Sequence, residues 1–202
     1  LQTDYIDLYQ SHQDDAETPQ EETLRAFDRL VRAGKVRAVG ASNFSPTRLK
    51  TSLEVSQTTG LARYETIQPK FNLVDREQVE GGLAELARAE GVGIIPYYGL
   101  AAGFLSGKYR SAADLEGRAR GRTILRDYWN DRGRAVLTVL DKAAEAVGAS
   151  QAQVALAWIM AHPAITAPIA SATSIGQLQE LMGAARLDLP SDVASTLDMV
   201  GR

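Results

Sequence analysis

The chain has 202 residues, of which 45% are hydrophobic and 23% charged, with a formal net charge of -3. This composition is typical of a globular protein and carries no basic excess for nucleic-acid phosphates, so no nucleic-acid partner is expected. The absence of cysteine excludes a disulfide framework, a thiolate nucleophile and a Cys-ligated metal. No apolar run is long enough to span a bilayer and no signal-peptide pattern is seen, which predicts a cytoplasmic protein without a membrane segment.

The first half of the chain alternates strand and helix patterns. The stretch "YIDLYQS" predicts a strand, and the helical pattern that follows has Thr18 as its expected N-cap. "KVRAVGAS" predicts the second strand, and the next helix is expected to start after Ser45 and to end at Gly60. "YETIQPKFN" predicts the third strand, and its helix is expected to be weak because it contains Gly81 and Gly82.

The second half begins with a fourth predicted strand, "VGIIPYYG", followed by a long irregular segment rich in Gly and Arg at residues 99–132. A connection of that length usually covers a site. Two helices, a fifth strand "AITAPIASA" and two further helices complete the pattern. No linker divides the chain, so residues 1–202 are predicted to form a single domain.

Strands joined by crossover helices are expected to be parallel, which leaves an open doubly wound sheet or a (β/α)8 barrel. The Gly-rich fingerprint of the first alternative is missing after the first strand. In a barrel, the carboxyl ends of the strands meet at one mouth, where the chemistry of that fold is built. Polar residues occupy all five predicted strand ends, which favours the barrel: His12, Ser42 with Asn43, Gln68, Tyr97 with Tyr98, and Ser171 with Thr173.

Five stretches in order, "TDYIDLYQSHQDD", "GKVRAVGASNFSP", "ETIQPKFNLVDR", "GIIPYYGLAAGFLSGKY" and "ITAPIASATSIGQLQELMGA", resemble the aldo-keto reductase family. The resemblance implies a (β/α)8 TIM barrel that binds NADPH without a Rossmann motif and reduces aldehydes or ketones to alcohols. It also implies that the chain is the C-terminal portion of the family, from the fourth barrel strand onward. We therefore expect a partial barrel of about five β/α units, strands four to eight, plus a C-terminal helix.

The resemblance also implies roles for individual residues. His12 matches the active-site histidine that orients the substrate carbonyl, and is the catalytic residue expected in this chain. Ser42, Asn43 and Gln68 match the residues that bind the nicotinamide carboxamide, and Tyr97 matches the aromatic residue that stacks on the nicotinamide ring. The pyrophosphate is expected to contact Tyr98, Gly99, Leu100, Ala101, Ala102 and Lys108, and the adenosine end Ser171, Thr173, Gln177 and Glu180.

Cofactor preference departs from the family pattern. Family members commonly carry a basic residue near Thr173 or Gln177 to pair with the 2′-phosphate, and this chain has none there. NADP(H) is expected as the cofactor. The missing basic residue makes NAD(H) the alternative, unless Arg118, Arg120 or Arg122 from the long segment closes over the 2′-phosphate.

The Asp, Tyr and Lys of the family's catalytic tetrad are expected to lie upstream of Leu1, so this chain alone is expected to be inactive. The alternative function is a cofactor-binding redox-sensing or channel-regulatory subunit of the same barrel family. An unrelated phosphate-binding barrel is disfavoured because "IASATSIGQ" lacks a Gly-rich turn. Tyr128 and Trp129 are candidates for the substrate wall or for packing. No metal site is expected at the acids of residues 14–17, and the oligomeric state is left open.

Overall fold

The structure, a computed structural model, describes residues 2–200. These residues form two compact units. The sheet unit contains residues 2–69 and 78–95, and the helical unit contains residues 70–77 and 96–200. The prediction of a single domain for the whole chain stays a prediction.

The sheet unit contains a four-stranded parallel sheet in which the strands lie in chain order. Its elements are β1 (Ile6–Ser11), α1 (Gln20–Arg32), β2 (Val36–Ser42), α2 (Pro46–Thr59), β3 (Tyr64–Gln68), α3 (Ala84–Glu90) and β4 (Gly93–Ile94). The register pairs Tyr9 with Val39 and Ser11 with Ala41, so the carboxyl ends of β1 and β2 lie side by side. The predicted α/β fold with parallel strands is thereby confirmed.

Helix α2 begins and ends where the sequence predicts. The Ser45 hydroxyl accepts a hydrogen bond from the N–H of Arg48, Pro46 is the first helical residue, and Gly60 ends the helix at a φ of +68°. Only glycine adopts that left-handed conformation at little cost. The capping signals of α2 are therefore confirmed.

The N-cap predicted for α1 is wrong. The helix starts at Gln20 with Pro19 in the cap position, and no side chain caps it. The Thr18 hydroxyl instead donates a 2.7 Å hydrogen bond to Oδ2 of Asp15. A hydrogen bond to a carboxylate is stronger than one between neutral groups, so Asp15 holds the Thr18 hydroxyl away from the backbone N–H groups that begin α1.

The third helical segment is broken by its glycines, as expected. Val79–Leu83 form a wide turn in which Gly81 and Gly82 leave helical geometry, Gly82 with a φ of +104°. Regular helix resumes only with α3.

Aromatic residues fill the space between the sheet and its helices in the sheet unit. Tyr64 is 1% exposed, and its ring meets Phe27 and Phe44 edge-on at centroid distances of 6.1 and 5.6 Å. Phe27 also meets Tyr9 edge-on at 5.6 Å. Such pairs add to the stabilisation that apolar burial provides.

The helical unit is built from five α-helices and two short 3-10 turns. They are the turns Ala101–Ser106 and Ala112–Leu115, then α4 (Gly121–Asp127), α5 (Asp131–Val147), α6 (Gln151–Ala161), α7 (Ile175–Ala184) and α8 (Ser191–Val200). Apart from Gln151 and Gln153 in its first turn, helix α6 is apolar, and it is buried over most of its length, as is typical of a core helix. No helix within residues 2–200 has the length and apolar composition needed to cross a membrane.

The expectation of an irregular segment at residues 99–132 is wrong, because much of it forms short helices. Ser111 and Asp114 form a reciprocal capping box around the second 3-10 turn, and the Asn130 side chain accepts from the N–H of Gly133 at the start of α5. These local hydrogen bonds order a stretch whose glycines and arginines suggested a loop.

The fifth predicted strand is not formed at residues 164–172. One backbone hydrogen bond aligns this segment, from the N–H of Ile169 to the carbonyl of Pro96 at 2.8 Å. Pro168 has no N–H to donate, and Pro96 likewise interrupts the donor row on the neighbouring segment. Position 168 therefore adds no ladder hydrogen bond beside Ile169, and within residues 164–172 only Ile165 forms an isolated bridge.

Candidate functional site

Polar side chains from the ends of β1, β2 and β3 meet in one hydrogen-bonded cluster in the sheet unit. The Ser42 hydroxyl donates to the backbone carbonyl of Gln68 at 2.8 Å, and the N–H of Asn43 donates to the same carbonyl at 3.3 Å. Nδ2 of Asn43 donates to the carbonyl of His12 at 3.0 Å and to Oγ of Ser42 at 3.1 Å. The structure thus brings together four of the residues that the sequence indicated.

Asn43 is the centre of this cluster, since it contacts groups from all three strands. Its φ of +58° lies in the left-handed region, which non-glycine residues rarely occupy. Strain of this kind persists where the surrounding contacts hold it, often at functional sites. Ser42 beside it is buried, whereas His12 is exposed.

Sequence reasoning missed one member of the site, Gln10 on β1. Nε2 of Gln68 donates to Oε1 of Gln10 at 2.9 Å. A signal was available, because side chains alternate along a strand and Gln10 lies two residues before His12. A polar residue on the same face as His12 marks that face as hydrophilic.

In the helical unit, Tyr97 and Tyr98 are held through their backbones. The carbonyl of Tyr97 accepts from the N–H of Phe71 at 3.2 Å, and that of Tyr98 accepts from Nδ2 of Asn72 at 3.0 Å. The two rings meet edge-on with centroids 5.4 Å apart. Burial raises the pKa of Tyr97 above its ordinary value of 10.0.

A tight left-handed turn follows the two tyrosines. Tyr98, Ala101, Ala102 and Gly103 all have positive φ, at 62°, 49°, 59° and 95°. Turns of this type can present successive backbone N–H groups to an anion. Nζ of Lys108 lies 3.5 Å from where a Cβ on Gly103 would be, which places an ammonium group beside the turn.

The remaining turn residues serve its packing. A Cβ on Gly99 would lie 3.0 Å from Ile159 and 3.1 Å from Leu156, so glycine allows the chain to lie close against α6. The carbonyl of Leu100 accepts from the N–H of Gly103 at 2.8 Å.

The residues predicted for the adenosine end lie around the start of α7. Oε1 of Gln177 accepts from both the N–H and the hydroxyl of Thr173, at 2.8 and 2.9 Å. The carbonyl of Glu180 accepts from Nε2 of Gln153 at 3.2 Å, and Ser171 is exposed. Thr173 and Gln177 therefore form a neutral pair.

The structure places Tyr128 in the core, which confirms packing, one of the two roles that the sequence left open for it. Tyr128 is 0% exposed, stacks on Phe104 at 5.8 Å and donates a 2.6 Å hydrogen bond to Oδ2 of Asp75. Nζ of Lys70 lies 3.1 Å from the same oxygen. Burial, followed by the Asp75 carboxylate, raises the pKa of Tyr128. Because the phenol is fully buried, this Tyr, Lys and Asp trio is structural. Trp129 stays a candidate wall residue.

The acids after β1 are engaged by neighbouring groups. Asp14 forms a two-point ion pair with Arg48 at 2.6 and 2.7 Å. The Thr18 hydroxyl and then the N–H of Glu17 hold the pKa of Asp15 below its usual range. Across residues 2–200, no group of three or more His, Cys, Asp and Glu is arranged to hold a metal ion.

Comparison with known proteins agrees with these observations. A sequence model of the Aldo/keto reductase family matches residues 1–202. The chain belongs to the aldo/keto reductase family. A solved structure of another aldo-keto reductase, the thermostable Tm1743 in complex with the inhibitor epalrestat, superposes with a TM-score of 0.77 at 28% identity. The match covers 98% of this chain and 61% of that one.

Two curated relatives illustrate the range of the match. The uncharacterized oxidoreductase YrpG of Bacillus subtilis is 33% identical over 98% of this chain and 59% of its own length. The L-glyceraldehyde 3-phosphate reductase of Escherichia coli K12 is 31% identical over 88% of this chain and 52% of its own length. The chain therefore spans between about half and three fifths of these relatives.

Proposed function

We propose that the protein is an NAD(P)H-dependent oxidoreductase that reduces small aldehydes or ketones to alcohols. Membership of the aldo/keto reductase family and the two relatives, an oxidoreductase and a reductase, support this activity. The observation that carries it is the cluster of Ser42, Asn43 and Gln68, hydrogen-bonded together at the carboxyl ends of parallel strands. The relatives named do not favour the alternative of a redox-sensing or channel-regulatory subunit.

In the sheet unit, Ser42, Asn43 and Gln68 are proposed to bind the nicotinamide carboxamide. Their fit to such a group rests on Gln68, whose Oε1 makes no hydrogen bond to any other described residue while its Nε2 is engaged. An amide needs both a donor and an acceptor from its site, and Gln68 has the acceptor Oε1 and a second Nε2 proton beyond the one bonded to Gln10. The bound cofactor would supply the hydride.

In the helical unit, Tyr97 is proposed to stack on the nicotinamide ring, and residues 98–102 with Lys108 to bind the pyrophosphate. The left-handed turn and the ammonium beside it support the second assignment. Backbone N–H groups and one cation suit a phosphate without the need for a metal ion.

Ser171, Thr173, Gln177 and Glu180 are proposed to hold the adenosine end. Because Thr173 and Gln177 are neutral and bonded to each other, they offer no charge to offset a 2′-phosphate. Arg118 is a candidate to pair with the 2′-phosphate in their place, and its Nε lies 3.4 Å from the carbonyl of Asp114. NADP(H) is proposed as the cofactor, with NAD(H) as the alternative.

His12 is proposed to orient the substrate carbonyl, and a Tyr of the family's tetrad, outside residues 1–202, to supply the proton. In this assignment β1 to β4 are strands four to seven of a (β/α)8 barrel. The parallel order of the four strands and the position of His12 after β1 support it.

Cofactor titration of the protein encoded by the complete reading frame tests the proposal. We expect NADPH or NADH to quench tryptophan fluorescence with a micromolar Kd, and Ser42→Ala to weaken binding about tenfold, since it removes a buried hydroxyl from the cluster. Ser195→Ala, which changes an exposed serine on α8, is the matched control and should bind like the wild type. Binding of neither cofactor by the wild type would overturn the proposal.

A further inference from the structure

The imidazole of His12 depends on its backbone for its position. His12 is exposed, and its ring makes no hydrogen bond, ion pair or ring contact with another residue in the described range 2–200. A side chain without such contacts moves only among the rotamers that its backbone allows. The backbone of residues 12–15, which follows β1, therefore determines where the imidazole can reach.

Side chains from the start of α2 and the residues just before it hold that backbone. Nδ2 of Asn43 donates to the carbonyl of His12 at 3.0 Å. Arg48, in the first turn of α2, donates to the two carboxylate oxygens of Asp14 at 2.6 and 2.7 Å. Its guanidinium also donates to the carbonyl of Asp15 at 3.2 Å. The segment after β1 is thus bonded to the neighbouring strand–helix connection at three of its residues.

The bonds of Arg48 fix this segment in direction as well as in distance. A guanidinium has only donors, whereas a carboxylate and a carbonyl have only acceptors, so the polarity of these bonds does not depend on how a side-chain amide is turned. A two-point pair between guanidinium and carboxylate adds geometric specificity to its attraction. The side chains of Arg48 and Asp14 are 31% and 20% exposed, so solvent and salt screen the pair less than they screen a surface pair.

Packing holds the same segment only weakly. Of residues 12–17, all except Asp14 are exposed. A cavity of about 190 Å³ lies against the segment, and its lining includes Gln13, Asp14 and Asp15 together with Phe44, Arg48 and Tyr64. Atoms that face a void lose the dispersion contacts that packing would provide. Hydrogen bonds, and those of Arg48 above all, therefore determine where this segment lies.

We propose that Arg48 is a positioning residue that holds His12 at the place from which it orients the substrate carbonyl. Within residues 2–200, none of the side-chain hydrogen bonds of Arg48 reaches the cofactor cluster of Ser42, Asn43 and Gln68. Loss of Arg48 should therefore affect the carbonyl substrate and not the affinity for the cofactor. The inference rests on the proposed function and deepens it, since it adds to that site a residue that acts through His12.

The first test separates catalysis from cofactor binding in the protein encoded by the complete reading frame. The substrate is whichever of benzaldehyde, pyruvaldehyde, butanal and butanone the wild type reduces fastest. Arg48→Met should lower kcat/KM about three- to tenfold, because a small displacement of an orienting group is costly, and leave the cofactor Kd unchanged. Arg25→Met, which removes an exposed ion pair to Glu21 on α1, is the matched control and should leave both unchanged. No loss in Arg48→Met, or the same loss in both variants, would overturn the inference.

The second test asks whether Arg48 acts through the imidazole, and it uses a double-mutant cycle. If it does, Arg48→Met should lower kcat/KM in the wild-type background and have no further effect in the His12→Gln background. A purely structural effect of Arg48 would lower kcat/KM by the same factor in both backgrounds, which would contradict the inference. All four proteins are assayed at a temperature at which circular dichroism shows them to be folded.

Arg48→Lys decides the question if Arg48→Met does not fold. It keeps the positive charge beside Asp14, but an ammonium group does not reproduce the fork of a guanidinium. Its kcat/KM should lie between the wild-type and His12→Gln values, and the loss should again disappear in the His12→Gln background. Equal losses in the two backgrounds would overturn the inference.

The outcomes separate this inference from the function on which it rests. A wild type that binds neither cofactor and reduces none of the carbonyl compounds overturns both. An active wild type in which the Arg48 and His12 substitutions multiply their effects overturns the inference alone. An active wild type in which His12→Gln has no effect overturns the role of His12 and this inference with it, and leaves the proposed cofactor binding in place.

Discussion

The phenol of Tyr128 donates a 2.6 Å hydrogen bond to Oδ2 of Asp75, and the same oxygen accepts a second hydrogen bond from Nδ2 of Asn72 at 2.8 Å. Nζ of Lys70 lies 3.1 Å from it as a third partner. This network ties the end of α4 to residues 70–77, the segment whose backbone holds Tyr97 and Tyr98. It is structural, because the phenol is fully buried.

Replacing Tyr128 with Phe removes one of the three partners of Asp75 and keeps the ring in the core. We expect the free energy of unfolding to fall by about 1.5–3 kcal/mol, the usual range for a hydrogen bond to a charged group. Urea unfolding measures it. Tyr9→Phe, at a tyrosine that is 44% exposed, should change stability by no more than about 0.5 kcal/mol. Equal unfolding midpoints for the two variants would contradict the role assigned to Asp75.

Tyr64 should give the protein an alkaline pH dependence of stability. Burial raises the pKa of Tyr64 from its ordinary value of 10.0 to about 12. Its contribution is complete below the unfolded-state pKa and is lost as the pH rises toward 12, because only the unfolded chain ionises in that window. Urea unfolding at several pH values should show a shallower alkaline decline for Tyr64→Phe than for the wild type. Tyr9→Phe should keep the wild-type decline, and identical slopes for wild type and Tyr64→Phe would refute the prediction.

Gly40→Ala should be destabilising, because its methyl group would overlap Thr66 and crowd Gln10. We expect a loss of about 1–3 kcal/mol, as is usual for overpacking. The matched control is Gly176→Ala on α7, where a Cβ meets nothing within 4 Å. That change should be neutral or stabilising by up to about 1 kcal/mol. Thermal unfolding distinguishes them, and similar shifts for both variants would rule out the close approach at Gly40.

The two histidines of the chain allow a matched test of the catalytic role proposed for His12. His12→Gln should lower kcat/KM by about tenfold or more while leaving the cofactor Kd unchanged, because an orienting contact to the carbonyl strengthens in the transition state. His162→Gln, at the end of α6, should leave kcat/KM unchanged. A comparable effect of both substitutions on kcat/KM would argue against the assignment of His12.

Much of the fold could be predicted because its signals are local. Ser45 starts α2 and Gly60 ends it through contacts within a few residues, so the sequence pattern alone was enough to predict both ends. The prediction of the fifth strand was wrong because a strand needs continuous rows of backbone N–H donors on itself and on its partner. Pro168 interrupts the first row and Pro96 the second. The N-cap prediction for Thr18 was wrong because the sequence pattern does not show whether its hydroxyl accepts from a backbone N–H or donates to Asp15.

The site was partly predictable for a similar reason. His12, Ser42, Asn43 and Gln68 follow strand patterns directly, and parallel strands bring their ends together. The bond from Gln68 to Gln10 spans 58 residues and depends on the register of three strands, which periodicity does not give. The burial of Tyr128 against Asp75 is equally non-local, at a separation of 53 residues.

Label transfer tests the central claim most directly. The protein from the complete reading frame is incubated with reduced cofactor carrying deuterium at C4 of the nicotinamide and with a panel of small aldehydes and ketones, and the alcohols are analysed by mass spectrometry. The account predicts deuterium at the carbinol carbon of at least one alcohol, transferred from one face of the nicotinamide ring only, since Tyr97 is assigned to cover the other. Cofactor binding without any carbonyl-dependent deuterium transfer would contradict it.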